Sequence, residues 1–370
     1  MDKSVLYLGG FELPDKNAAA QRVMANALLL REIGFEVSFI GISKDIENAP
    51  KKIEGFTSHP LTYPTNTKEW IHQIFSFVKL DVILALQPDY VILYNFPAVA
   101  SLRILRACHK HNIKVIYDLT EWESSRGWAP RDIIRSLDIH LRMRYCAKKM
   151  DGIIAISRYL YEYYKPYTEC IMVPPTVDLS AKKWNRDREL YSGKIIRLIY
   201  AGNAGFGKKD RLDIITKAVV KHPNMQLDVI GMTEENYRAG YGPLPDNCKN
   251  IIFHGRISHI NAVKAVQEAD FQLLIRNSSL KNNAGFPTKF VESITCCTPI
   301  ISTLTSNIGD YLQDGINGFI VDNNHSLSSV LDHISKLPSL EIVKMKEACR
   351  NMVVFDYREY KSLFEKIFKR

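Results

Sequence analysis

Short apolar runs and longer amphipathic segments alternate along most of the chain. Val5–Gly10 (VLYLGG) is an apolar run closed by two glycines; a helical pattern follows from about Ala18 to Ile33, then the apolar run Glu36–Ile42. Strand, glycine-rich turn, helix and strand in this order open a βαβ unit. Residues 43–78 carry no regular period and contain Pro50, Pro60 and Pro64. Alternation then resumes with a strand at Tyr90–Tyr94, a helix at Ala98–His111, a strand at Lys114–Asp118 and a helix over Arg131–Lys149. Strand Gly152–Ile156, helix Ser157–Tyr164 and strand Cys170–Val173 complete the first half. Strands apolar on both faces and separated by helices predict a parallel, doubly wound sheet.

Pro174-Pro175 and the polar stretch after Asp178 interrupt this pattern. The βα alternation restarts at Ile196–Ala201 and continues through strands Gln226–Ile230, Ile251–His254, Phe271–Ile275, Pro299–Thr303 and Gly318–Val321. Helices are expected at Asp210–Lys221, Asn261–Ala269, Thr288–Cys297, about Ser326 to Lys336 and Leu340 to Val353, with a last amphipathic segment at Tyr357–Phe368. The fold class is therefore α/β, with two doubly wound Rossmann-like domains. Residues 1–180 form the first domain, 181–195 the linker, 196–355 the second domain, and 356–370 a terminal helix packing back on the first. Two such domains in tandem imply a central cleft at the carboxyl ends of their strands, where ligands bind in such sheets.

At 370 residues the chain suits two domains of ordinary size, and 46% hydrophobic with 24% charged residues is ordinary globular composition. No window resembles a membrane span, and Met1–Ser4 runs into the first strand without a signal-peptide pattern, so a cytoplasmic location is expected. Seven scattered cysteines, none in a C-x-x-C pair, argue against disulfides and zinc. The net charge of +9 gathers partly on Arg103, Arg106, Lys110 and Lys114, and again between Arg131 and Lys149, interleaved with Leu, Ile, Met and Tyr. That pattern suits an anionic membrane surface on the cytosolic side, or else a solvated basic face. No nucleic-acid motif accompanies it.

Candidate chemistry sits on the βα turns. Gly285-Phe286-Pro287-Thr288-Lys289 opens a helix, with Pro287 at a position where its missing N–H costs nothing. The N–H groups that follow, the helix dipole and Lys289 suit a phosphate, and Glu292 one turn further suits a sugar hydroxyl. Gly202-Asn203 and Lys208 follow one strand, Arg256 and Ile257 end another, and Arg276 ends a third. The first turn contributes Gly10, which lets a ligand approach the backbone, and Arg22, which either meets an anion or is simply an exposed helix arginine. Asp118 and Glu121 follow a strand and are placed either to orient an acceptor hydroxyl and take its proton or, for Asp118, to cap a turn. Trp122, with Trp128, forms either a sugar platform on the acceptor side or a membrane-facing rim, or is simply a partly buried aromatic. No D-x-D pair and no metal-ligand spacing stand out, so no essential metal is expected.

These motifs resemble the GT-B glycosyltransferases, and among them glycosyltransferase family 4, over nearly the whole chain. Gly9-Gly10 matches the family's first glycine-rich turn, Gly152–Ser157 and Val173–Asp178 its "vIavS" and "vPxxvD" segments, and Phe253–Ile257 the turn beside the nucleobase. Glu292–Ile301 and Asp314–Val321 match further signatures. The resemblance implies a retaining transferase that takes a UDP- or GDP-linked sugar and passes it to a glycan or lipid-linked acceptor, as in cell-surface polysaccharide synthesis. It implies Gly202 and Lys208 at the diphosphate and Glu292 at the ribose. Three departures are plain: Asn203 replaces an arginine, Thr120 stands where many relatives carry histidine, and Ala284 replaces the first glutamate of the paired set. A catalytically weak GT-B subunit and a nucleotide-sugar epimerase are the alternative expectations.

Overall fold

The computed structural model describes residues 3–44, 46, 50–122, 127–202 and 209–368. Its contacts divide the chain into two units. One comprises Met1–Asp178 with Ala284–Phe286 and Asp356–Arg370; the other comprises Leu179–Asn283 and Pro287–Phe355.

The first unit contains β1 (Ser4–Gly9), β2 (Glu36–Ile40), β3 (Ile42–Ser43), β4 (Lys51–Ile53), β5 (Phe56–Ser58), β6 (Leu61–Thr62), β7 (Tyr90–Tyr94), β8 (Lys114–Leu119), β9 (Gly152–Ala155) and β10 (Cys170–Met172). Eight of them form a sheet in the order β10-β9-β8-β7-β1-β2-β5-β4, parallel except where β4 runs against β5; β3 and β6 pair separately. The order reverses beside β1, which pairs with β2 on one side and β7 on the other. Its helix Ala18–Glu32 starts where Asn17 Oδ1 accepts the N–H of Ala20 at 2.8 Å, a side-chain cap for an orphan donor. Residues 43–78, unpatterned in sequence, hold strands of two or three residues and the helix Thr67–Phe75. Elements that short lie below the length at which periodicity is visible.

The chain's last segment belongs to this unit. Phe364, Ile367 and Phe368 join its core beside Phe35 and Tyr90, and Arg358 pairs with Asp178, Glu32 and Asp356. Ile367 packs directly against Gly152, where a Cβ would lie 2.7 Å from its Cδ1 and force that side chain to shift.

The second unit contains β11 (Ile196–Ala201), β12 (Met225–Ile230), β13 (Ile251–Gly255), β14 (Phe271–Leu274), β15 (Ile300–Thr303) and β16 (Gly318–Val321). They form one parallel sheet in the order β13-β12-β11-β14-β15-β16, so the order reverses between β11 and β14. Residues 181–195 are not a free linker. Trp184 is buried, Arg186 donates to Thr295 O at 3.0 Å, and Arg188 donates to Cys296 O at 2.6 Å. Those carbonyls close the helix Thr288–Thr295, whose C-terminal oxygens need donors and favour positive charge. Polar composition here signals capping of a neighbouring helix.

Candidate functional site

The carboxyl ends of β11 and β14 are the switch point of the second sheet, the place where ligands bind in open α/β folds. Asp210 lies there with 1% exposure, between Gly202 and the helix Leu212–Val219. Its carboxylate accepts Arg276 Nε at 2.5 Å, the Tyr200 hydroxyl at 2.6 Å and, on Oδ2, Lys289 Nζ. Lys289 also donates to the Tyr200 hydroxyl at 2.5 Å, with its Nζ 4.1 Å from the centre of that ring. Arg276 is fixed at its backbone, where its N–H donates to Thr303 Oγ1 at 2.8 Å. Gly202 adopts φ +139°, and a Cβ on it would stand 2.1 Å from Lys289 Cε. The glycine is what lets the lysine cross the end of β11.

Two cations share one carboxylate, which leaves a net positive centre with little water around it. Burial opposes the charge on Asp210, but Lys289 and Arg276 more than offset it and hold its carboxyl below the usual range. Burial, aided by Arg276 and opposed by Asp210, pushes the Lys289 ammonium down to about 8. The lysine is therefore charged below that value and loses its proton as pH rises through it. An anion held by this ammonium is expected to bind progressively more weakly as pH is raised from about 7 to about 9.5, read as Kd by calorimetry. A flat profile would remove Lys289 from the contact.

The other donor-side residues are distributed as follows. Pro287 is the cap residue before the helix Thr288–Thr295, which begins at the expected residue, and Thr288 opens the helix half-exposed. Glu292, half-buried, lies with Oε1 3.4 Å from His259 Nε2. Arg256 is exposed and Ile257 half-exposed in the turn after β13, where Gly255 takes φ +65°. Phe286 is buried and is grouped with the first unit, together with Ala284 and Gly285. Asn203 and Lys208 lie outside the described residues. Asp210 and His259 were not anticipated. In sequence Asp210 reads as the opening of a helix, and the helix in fact starts at Leu212.

In the first unit, the expectation for Asp118 and Arg22 is corrected. Asp118 is completely buried, and its carboxylate accepts Arg22 Nε at 2.8 Å, the Tyr7 hydroxyl and Asn26 Nδ2 at 3.3 Å. Arg22 is 2% exposed and donates further to Val173 O at 2.9 Å and Pro174 O at 3.1 Å. Neither charge is offered to a substrate; the pair ties the first helix to β8 and to the end of the strand segment after β10. Burial, with Asp118 beside it, pushes the Tyr7 phenol well above its ordinary range. Trp122 is corrected too. It is buried, edge-on to Tyr159 and Tyr163, and is no platform for a sugar. Gly10 is exposed at the end of β1 with open space where a Cβ would be.

Glu121 keeps an accessible position. It lines a cavity of about 500 Å³ with Trp70, Asn95, Arg131, Arg135 and Arg142 at the carboxyl ends of β7 and β8. Asn95 takes φ +42°, and its amide makes two hydrogen bonds with Thr120, at 2.5 and 3.0 Å. Arg142 is buried, donates to Asn95 O at 2.6 Å and leaves its Nε without a partner. It begins a π-helical turn, Arg142–Cys146, a local irregularity that often marks function. The predicted uninterrupted helix over Arg131–Lys149 is thus an α-helix, Pro130–Leu141, followed by π and 3₁₀ turns.

Comparison with known proteins agrees with this architecture. Residues 187–353 match the model of the family described as Glycosyl transferases group 1. An uncharacterized glycosyltransferase of Methanocaldococcus jannaschii is 22% identical over 307 residues, covering 77% of this chain and 81% of that protein. The sucrose-phosphate synthase of Thermosynechococcus elongatus superposes with a TM-score of 0.74 at 12% identity, covering 99% of this chain and 98% of that one. HepE of Anabaena, solved in complex with UDP and glucose, gives 0.66 at 12% identity, with 99% of each chain covered. Residues 187–353 thus resemble the Glycosyl transferases group 1 family, and the chain as a whole shares its two-sheet α/β fold with these solved structures.

Proposed function

We propose that this protein is a glycosyltransferase that moves a hexose from a UDP- or GDP-linked donor to a glycan or lipid-linked acceptor, with retention of configuration, in cell-surface polysaccharide synthesis at the cytosolic face of a membrane. The observation that carries the donor side is the Asp210–Arg276–Lys289 cluster at the switch point of the second sheet. Positive charge fixed in a water-poor site stabilises a leaving diphosphate without reorganising during the reaction. Arg276, Lys289 and the start of the helix Thr288–Thr295 take that task, and no metal is assigned to it. UDP and glucose in HepE support a nucleotide-sugar donor of this kind. Glu292 receives the ribose hydroxyls, and the cavity at Glu121, Asn95 and Arg142 receives the acceptor. Glu121 is the candidate to orient or deprotonate the acceptor hydroxyl, in place of the buried Asp118.

A thermal-shift and calorimetry panel with UDP-, GDP- and CDP-sugars tests the donor assignment, with an EDTA arm that is expected to leave affinity and turnover unchanged. Glu292→Ala is expected to weaken donor binding roughly tenfold, the loss of a charge-assisted hydrogen bond. Equal affinity in that variant withdraws the ribose contact. One observation favours a second reading: Ala284, fully buried, offers no polar group where the resembling family has a glutamate. Tight donor binding without turnover on any lipid-linked acceptor would favour a binding subunit over an active transferase.

A further inference from the structure

We propose that the outward face of the helix Pro130–Leu141, continued through Tyr145, docks the first unit on an anionic bilayer surface. Ile133, Leu137, Leu141 and Tyr145 follow one another at four-residue spacing and are 46%, 64%, 40% and 51% exposed. Residues four apart share one face of a helix, so the four side chains form a continuous stripe. Trp128, just before the helix, is 91% exposed. The core is served from the other side, by the buried Ile139 and Met143. The outward apolar residues are therefore surplus to folding.

The charges around the stripe select the occupant. Of the six arginines and lysines between Gly127 and Lys149, Arg142 is buried and Arg131 and Arg135 line the cavity with the half-exposed Asp132 and Asp138, which leaves Arg144, Lys148 and Lys149 at the carboxyl end of the stripe. Arg144 and Lys149 are exposed beside the stripe, and Lys149 Nζ lies 4.7 Å from the centre of the Tyr145 ring. An apolar stripe flanked by cations and by Trp and Tyr is the pattern of a helix lying in the plane of a membrane interface. Anionic headgroups supply the complementary charge, and acyl chains cover the leucines. The opposite side of the same helix gives Arg135, Asp138 and Arg142 to the cavity that holds Glu121. Docking would bring that cavity within about one helix diameter, roughly 10 Å, of the headgroups. A lipid-linked acceptor would then reach it without leaving the bilayer, a consequence that rests on the acceptor assignment above.

Flotation of the full chain with phosphatidylcholine vesicles, and with vesicles about one third phosphatidylglycerol, tests the proposal. The wild-type protein is expected to float with the anionic vesicles only, and less as salt is raised. Leu137→Glu combined with Leu141→Glu is expected to lower vesicle binding at least roughly tenfold, with donor affinity and melting temperature unchanged. Arg144→Ala with Lys149→Ala is expected to lower it on anionic vesicles alone. Failure of the wild type to float, or wild-type flotation of the leucine variant, overturns the proposal. So does sedimentation showing a dimer that the leucine variant dissolves, since a second copy would then cover the face. Donor affinity measured on the same samples keeps a failed docking separate from a failed transferase assignment.

Discussion

Replacing Lys289 by methionine is expected to weaken nucleotide-sugar binding by roughly 10- to 100-fold, the loss of one charge-assisted hydrogen bond to phosphate in a water-poor site. The substitution is chosen so that the fold survives it. Methionine keeps most of the side-chain volume over Gly202 and beside the Tyr200 ring, where Lys289 now lies. Asp210 keeps Arg276 at 2.5 Å and the Tyr200 hydroxyl at 2.6 Å, so its buried charge is not left alone. A melting curve near that of the wild type, with Kd raised, is the expected pair of results. The alternative is that Lys289 serves only Asp210. In that case the melting temperature falls and the Kd of the remaining folded protein is unchanged, and the diphosphate contact would have to be sought elsewhere.

Asp118→Ala is expected to destabilise the first unit by about 3–5 kcal/mol, the usual cost of breaking a buried ion pair from one side. The magnitude follows from what is left behind. Arg22, 2% exposed, would retain two carbonyl acceptors, Val173 O and Pro174 O, but no counter-charge, and the Tyr7 hydroxyl would lose its acceptor. For a unit of this size such a loss lowers Tm by roughly 10 °C. A variant that melts like the wild type but turns over no substrate would restore Asp118 to the reaction and sink the structural assignment.

The same two carboxylates mark where sequence reading was informative and where it stopped. Asp118 lies at the end of an apolar strand segment, between Tyr117 and Leu119, and Asp210 lies beyond a strand, between Lys209 and Arg211. Asp118 was the natural candidate for proton transfer, yet it is sealed beneath the first helix. Asp210 looked like the first residue of a helix, yet it organises the two cations of the second unit. The difference lies in partners supplied from distant parts of the chain: Arg22 is 96 residues from Asp118, and Lys289 is 79 residues from Asp210. Trp122 shows the same limit, because the tyrosines that cover it come from a later helix. The π turn at Arg142–Cys146 was invisible for a different reason: one extra residue per turn shifts helical periodicity only slightly over so short a stretch.

The sequence alone determined the two βα repeats, because strands buried on both faces must be apolar throughout and the helices that cover them must be amphipathic. It also placed Gly202, Arg276, Lys289 and Glu292 beside strand ends and a helix start, since turn glycines and helix-opening prolines are local signals. Only the tertiary structure decided which charges stay available. Pairing buries a carboxylate or a cation when a complementary group arrives within hydrogen-bond distance, and that arrival depends on sheet order and helix packing. By that rule Asp118 and Arg22 cancel each other inside the first unit, while Asp210 shared between Arg276 and Lys289 leaves one positive charge over.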